Sequence, residues 1–430
     1  MAMLVLVGAA CPLAARPLSD VATDTINANP EVRRDRALTR AADHQVDERF
    51  AGFLPKLDLD SAGGYEYSND PFTRTRVDRQ PGDDAGVHLL RTDNSLTLRQ
   101  LVFDGFGTSS RELSAEAERR AAERRLAATS ERIAERVIEV YLDVLRSDEQ
   151  VNLANGNLAY HQDIGRKVAQ RVAQGLNDAL DQDQITARIA LAQVGVAGRL
   201  GEQRTARARY IEFIGEPPTD LLRPPPAAYR APADAEAAIE DALRQNPIVS
   251  ATAAQVDSAV ANIDAARAAY YPRLDLEISG NSGKNIDGVV GRDSDVSVLL
   301  KLRYNLFNGF FDEATVQRRS AQAAAAGHSD GEARRQLRED TRVAFRDLTT
   351  ARDRIPPLSD RAAAAGRTLD DYVKQFELGR RKLLDVLDAQ IEFYSARAEL
   401  IDAEYTLLVA EFRLAFNMGQ VRGALGIAGD

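Results

Sequence analysis

The chain carries one unit twice, and that duplication constrains its fold more than any other feature. NPEV, with Asn29 and Pro30, returns as NPIV, with Asn246 and Pro247, 217 residues later. FLPKLDLDSAGG returns as YYPRLDLEISGN, so that Pro55 and Pro272 keep the same offset of 217. LVFDGFG and NLFNGFF then place Gly105 and Gly309 at an offset of 204, and Gly175 and Gly379 repeat it. The drop of 13 between Pro55 and Gly105 assigns the first copy a longer loop there.

Within each copy the order of elements is helix, strand, strand, helix, helix. A helical stretch follows the Asn-Pro pair and stops at Pro55 or Pro272. The next strand alternates Leu57 and Leu59, or Leu274, Leu276 and Ile278, with polar residues. After a loop rich in Gly, Asn, Asp and Ser comes a second strand. In the second copy it sets Val296, Val298, Leu300, Leu302, Tyr304 and Leu306 against Asp295, Ser297, Lys301, Arg303 and Asn305, and Leu299 alone breaks the alternation. One face is apolar and the other wet. About ten such residues suit a membrane β-strand, for which ~9 to 11 span the hydrocarbon layer. On alternation alone, a hairpin packed on a soluble core is the commoner case. Four strands are too few to close a barrel and an open sheet edge cannot lie in lipid, so the membrane reading demands an oligomer.

The glycine turns DGFGTSSRE and NGFFDEATVQ open long helices, expected over about 108–174 and 312–375. At ~1.5 Å per residue each is on the order of 100 Å long. Ile133, Val137, Val140, Val144, Val151 and Leu158 keep heptad spacing. So do Leu387, Ile391, Tyr394, Ala398, Ile401, Tyr405, Leu408, Phe412 and Ala415, which step by four and three. These stripes are seams for partner helices. Pro356 and Pro357 are expected to kink or interrupt the long helix of the second copy. The domain reading is therefore a leader over 1–17, a first repeat over 18–214, a proline-rich linker over 215–232, a second repeat over 233–418 and a tail over 419–430.

Composition agrees with long, surface-rich helices: no tryptophan, three methionines and 28% charged residues. A net charge of -10 argues against a nucleic-acid partner, which would need a basic face. No apolar run of 18 residues follows the N-terminus, so no membrane-spanning helix is expected. MAMLVLVGAACPLAA resembles the apolar part and cleavage region of a secretory leader, without its positively charged start. Cys11 is the single cysteine, and Gly8 stands where a lipid-attachment motif wants a larger aliphatic residue; cleavage at Ala15 would leave no cysteine at all. Four scattered histidines offer no metal-ligand spacing. No phosphate-binding GxxxxGK[ST] loop occurs, so any energy must come from a partner. No cofactor, no metal and no catalytic residue is expected; Asp385 and Asp388 share a helix face, but no nucleophile or metal set accompanies them.

The duplicated Asn-Pro pairs, LPKLDL and YPRLDL, LVFDGF and NLFNGF, and the stretch FELGRRKLLDVLDAQ resemble the TolC family of outer-membrane efflux and secretion proteins, over residues 18 to 418. GYEYSNDPFTR looks most like members serving type I secretion. The resemblance implies a mixed α/β membrane protein: a homotrimer whose four strands per chain close a 12-stranded β-barrel in outer-membrane lipid, continued by a long periplasmic α-helical barrel. It implies as partners a periplasmic adaptor (membrane fusion) protein and an inner-membrane ABC transporter or efflux pump. It also implies that the turns at Gly175 and Leu176, and at Gly379 and Arg380, form the periplasmic tip that meets the adaptor. Asp385 and Asp388 align with the aspartates of the tunnel constriction, six carboxylates in a trimer. Asp181 and Arg381 align with a closing latch, and Phe376 replaces a tyrosine often found in it. Three readings follow: an exit duct for ABC-driven protein secretion, the same duct in a drug or metal efflux pump, or a soluble coiled-coil scaffold with a hairpin module.

Overall fold

The computed structural model describes residues 16–69, 86–175, 178–229 and 232–427. Leu176, Cys11 and the leader up to Ala15 lie outside them, as do residues 70–74 of GYEYSNDPFTR. The described elements are α1 (Leu18–Ala28), α2 (Pro30–Phe50), β1 (Lys56–Ser68), β2 (Val87–Phe103), α3 (Gly107–Ala173) and α4 (Ala179–Ile214). The order then repeats as α5 (Ala235–Gln245), α6 (Pro247–Arg267), β3 (Arg273–Lys284), β4 (Arg292–Arg303), α7 (Phe311–Glu377) and α8 (Leu383–Asn417), before the short α9 (Val421–Ala424). The described residues form two compact units, each taking stretches of both repeats: those within 1–36, 124–250 and 332–430 form one, and those within 37–123 and 251–331 the other.

The same chemistry starts corresponding helices in the two repeats. Asn29 Oδ1 accepts the Glu31 N–H at 2.8 Å and Asn246 Oδ1 accepts the Ile248 N–H at 2.8 Å, with proline at the first helical position each time. After the second strands, Gly105 (φ 65°) and Phe106 (φ 66°) are matched by Gly309 (φ 67°) and Phe310 (φ 65°). Each turn stacks its aromatics edge to face, Phe103 on Phe106 at 5.5 Å and Phe307 on Phe310 at 5.6 Å. Asp104 then caps α3 by accepting the Thr108 N–H at 2.8 Å.

The second unit is built on a four-stranded antiparallel sheet in the order β1-β2-β3-β4. Its register aligns the apolar residues: Leu57 faces Leu98, Leu98 faces Ile278, and Ile278 faces Val298. Leu59, Leu96, Gly280 and Val296 form the next row. The opposite face is paired through charge and hydroxyl groups. Glu277 meets Arg99 and Lys301, Ser279 Oγ lies 2.8 Å from Ser297 Oγ, and Asn281 donates to Asp295. Val296 is 80% exposed and Leu300 64%, so the apolar face is uncovered within the chain. Among the described residues, β1 and β4 each pair on one side only. The strand expected to continue through Tyr304 and Leu306 ends at Arg303, because Phe307 N–H turns onto Asn305 Oδ1 at 3.2 Å.

The first unit is helical. Ile133, Val137, Val140, Val144 and Val151 are buried, as are Leu387, Ala398, Ile401, Tyr405, Leu408, Phe412 and Ala415. Ile391 departs from that stripe at 39% exposed. The proline-rich stretch runs over this core: Leu221, Ala227 and Tyr229 pack on it, and the Leu222 N–H donates to the buried Tyr141 hydroxyl at 2.8 Å. Glu131 on α3 accepts the Val421 N–H at 2.8 Å, fastening the chain's end. The expected interruption at Pro356 and Pro357 does not occur, for α7 is one helix from Phe311 to Glu377. Both prolines are exposed within the chain, as are Arg352 and Asp353, whose carbonyls they leave without N–H donors. Among the described residues no helix is long and apolar enough to cross a membrane.

Candidate functional site

The helical unit ends in two hairpin turns, and these bring the sequence-selected charges together. Gly175 (φ 74°) and Gly379 (φ 71°) take the left-handed conformation that only glycine adopts without strain. Gly379 N–H donates to Phe376 O at 2.9 Å and Arg380 N–H to Gln375 O at 2.8 Å, closing α7 with a Schellman motif. In the first copy Gly175 N–H makes the equivalent bond to Val172 O at 2.9 Å. Arg380 is exposed beyond its turn.

Beneath the turns lies an apolar cluster of Ile164, Val168, Ile185, Leu369, Phe376, Leu383, Val386 and Leu387. Phe376, 2% exposed, is one of its centres, and the Arg171 guanidinium lies 5.1 Å over its ring. Lys167 joins α3 to α7 through Glu377 at 2.8 Å, and that bond with the charge of Glu377 holds its ammonium above the usual lysine range. Arg381 is held within its own hairpin. Its guanidinium stacks 3.9 Å over the Tyr372 ring, donates to Gln375 Oε1 at 3.2 Å, and lies 3.7 Å from Asp385 Oδ2. Asp181 occupies the first turn of α4.

Asp388 is bound from the other copy: Arg188 Nη2 donates to its Oδ1 at 3.2 Å. Sequence reasoning did not single out Arg188. The available signal was its place seven residues after Asp181, two turns on along one face of α4. Around it Asn157, His161, Leu191, Ile391 and Tyr394 line a cavity of about 320 Å³. His161 is 3% exposed, and burial, then the charge of Arg188, lowers its pKa, so the ring is neutral at pH 7. The arrangement offers ion pairs and a hydrophobic brace. Among the described residues no group of acidic, histidine or cysteine side chains is placed to hold a metal.

The fold is that of outer-membrane channels. The transmembrane channel CusC superposes with a TM-score of 0.77 at 17% identity, over 96% of this chain and 92% of its own. The model of the outer membrane efflux protein family matches residues 21–216 and 238–420, and the chain belongs to that family. Its relatives include the outer membrane efflux protein BepC of Brucella suis, 25% identical over 91% of this chain and 83% of BepC. The alkaline protease secretion protein AprF of Pseudomonas aeruginosa is also 25% identical, over 90% of this chain and 79% of AprF. The protein is a transport component of the outer membrane.

Proposed function

We propose that the protein is a passive exit duct for type I, ABC transporter-driven protein secretion. The observation that carries a duct is the sheet: four strands, a largely exposed apolar band through Leu57, Leu98, Ile278 and Val298, and two outer strands that, among the described residues, pair on one side only. Three copies would supply twelve strands and leave no edge in lipid. The helical hairpins of residues 18–214 and 233–418, linked through 215–232, would continue it as a periplasmic tunnel. In this reading the turns at Gly175, Leu176, Gly379 and Arg380 meet the adaptor, Asp385 and Asp388 ring the narrowest passage, and Asp181, Phe376 and Arg381 belong to its closing latch. The likeness to AprF, a secretion protein by name, favours polypeptide cargo. The likeness to BepC, an efflux protein by name, supports the second reading, an outer-membrane component of a drug or metal efflux pump.

Comparing the secreted proteins of the parent strain with those of a strain lacking the gene tests the assignment. Loss of one or a few large proteins from the medium, with their accumulation inside the cell, is the expected result. An unchanged secretome with increased sensitivity to small toxic compounds would replace it with the efflux reading.

A further inference from the structure

Both carboxylates of the proposed constriction meet a cation supplied by the same chain. Asp385 has Arg381 at 3.7 Å, and Asp388 has Arg188 at 3.2 Å. Arg381 already belongs to the latch; Arg188 has no assigned part. Its side chain is 28% exposed, whereas that of Asp388 is 61% exposed. Arg188 lines one cavity together with Leu191 and Tyr394, and its guanidinium meets the carboxylate. The neighbouring His161 adds no opposing or supporting charge, since it is buried and neutral. An arginine keeps its charge at every physiological pH.

We infer that Arg188 is a selectivity-determining residue, which offsets the negative charge of Asp388 at the constriction and lets the passage admit anionic solutes and acidic polypeptides. The inference rests on the reading that Asp385 and Asp388 line the narrowest passage. In a pore narrower than a Debye length of about 8 Å, a permeating ion responds to the sum of nearby charges rather than to the carboxylates alone. Three copies would set three Arg188 guanidinium groups, beside the three of Arg381, against the six carboxylates. The ring is therefore a weaker barrier to anions, and a weaker trap for multivalent cations, than its aspartates suggest.

The test is the purified full-length channel in planar bilayers, with the reversal potential read across a KCl gradient and block titrated with hexaamminecobalt(III). Arg188→Gln is expected to raise the potassium-to-chloride permeability ratio, and to lower the blocking concentration, by about three- to tenfold. Arg188→Lys, which keeps the charge, should restore both towards the wild-type values, and Asp388→Asn should move both the opposite way. Arg188→Met, which keeps the stem, serves if the glutamine variant does not assemble. If Asp388→Asn shifts selectivity and neither Arg188→Gln nor Arg188→Met does, the role of Arg188 is overturned while the constriction stands. If Asp385→Asn and Asp388→Asn are also silent, the constriction reading itself fails.

Discussion

Glu135 is a carboxylate that the fold holds at a cost. Burial, reinforced by Glu139 and opposed by Arg413 at 4.0 Å and by Arg136, raises its pKa to about 7. A carboxylate whose folded pKa is raised stabilises the fold while protonated, and that contribution is lost as pH climbs from 4.5 through about 7. Glu135→Gln should therefore raise the thermal unfolding temperature at pH 8 and leave it unchanged at pH 4, a difference that unfolding scans at the two values will show. Tyr141 is a second buried residue with a defined task, since its hydroxyl accepts the Leu222 N–H at 2.8 Å and donates to a carbonyl of Leu222 or Arg16. Tyr141→Phe should cost about 1 to 3 kcal/mol in denaturant unfolding by leaving those backbone groups unpaired. Asp181, Arg381, Asp385 and Asp388 were legible as charges at a turn. Their partners were not: Arg188 and Asp388 are 200 residues apart, and only hairpin packing joins them.

Repeated elements make an internal control. Gly105 and Gly309 share a positive φ, yet a Cβ at Gly105 would lie 2.6 Å from Tyr271 Cβ and 2.8 Å from the Ala268 carbonyl, whereas nothing lies within 4 Å at Gly309. Gly309→Ala should cost about 1 kcal/mol for the backbone conformation alone, and Gly105→Ala distinctly more, as unfolding midpoints will record. The two prolines of α7 teach the converse. A helix with many other hydrogen bonds continues through them where the residues that lose their donors are exposed, and the sequence did not show which face they would take. Helix starts were readable at this scale, because the Asn-Pro and Asp104 caps are local.

For the molecule as a whole, the proposed lipid-facing sheet would decide where it resides. Val298 belongs to the exposed apolar face and Ser297 to the polar one. Val298→Lys should reduce the amount recovered in the outer-membrane fraction, at a cost of about 2 to 4 kcal/mol if the site lies near the bilayer midplane, and Ser297→Lys should be tolerated. Immunoblots of fractionated cells distinguish the two. Equal depletion by both would assign the damage to folding rather than to the lipid-facing side.

By itself the sequence determined the duplication, the helix and strand periods, the turns and the amphipathic sheet, because each is a local pattern or a copy of one. It also placed the acidic and basic residues at the hairpin turns. Only the tertiary structure decided that Phe376 braces a core, that Ile391 leaves the buried stripe beside a cavity, and that Arg188 answers Asp388. The physical reason is that side-chain pairing across a hairpin depends on how far each helix is rotated about its axis. That rotation is set by the packing of distant residues, not by the spacing within either copy.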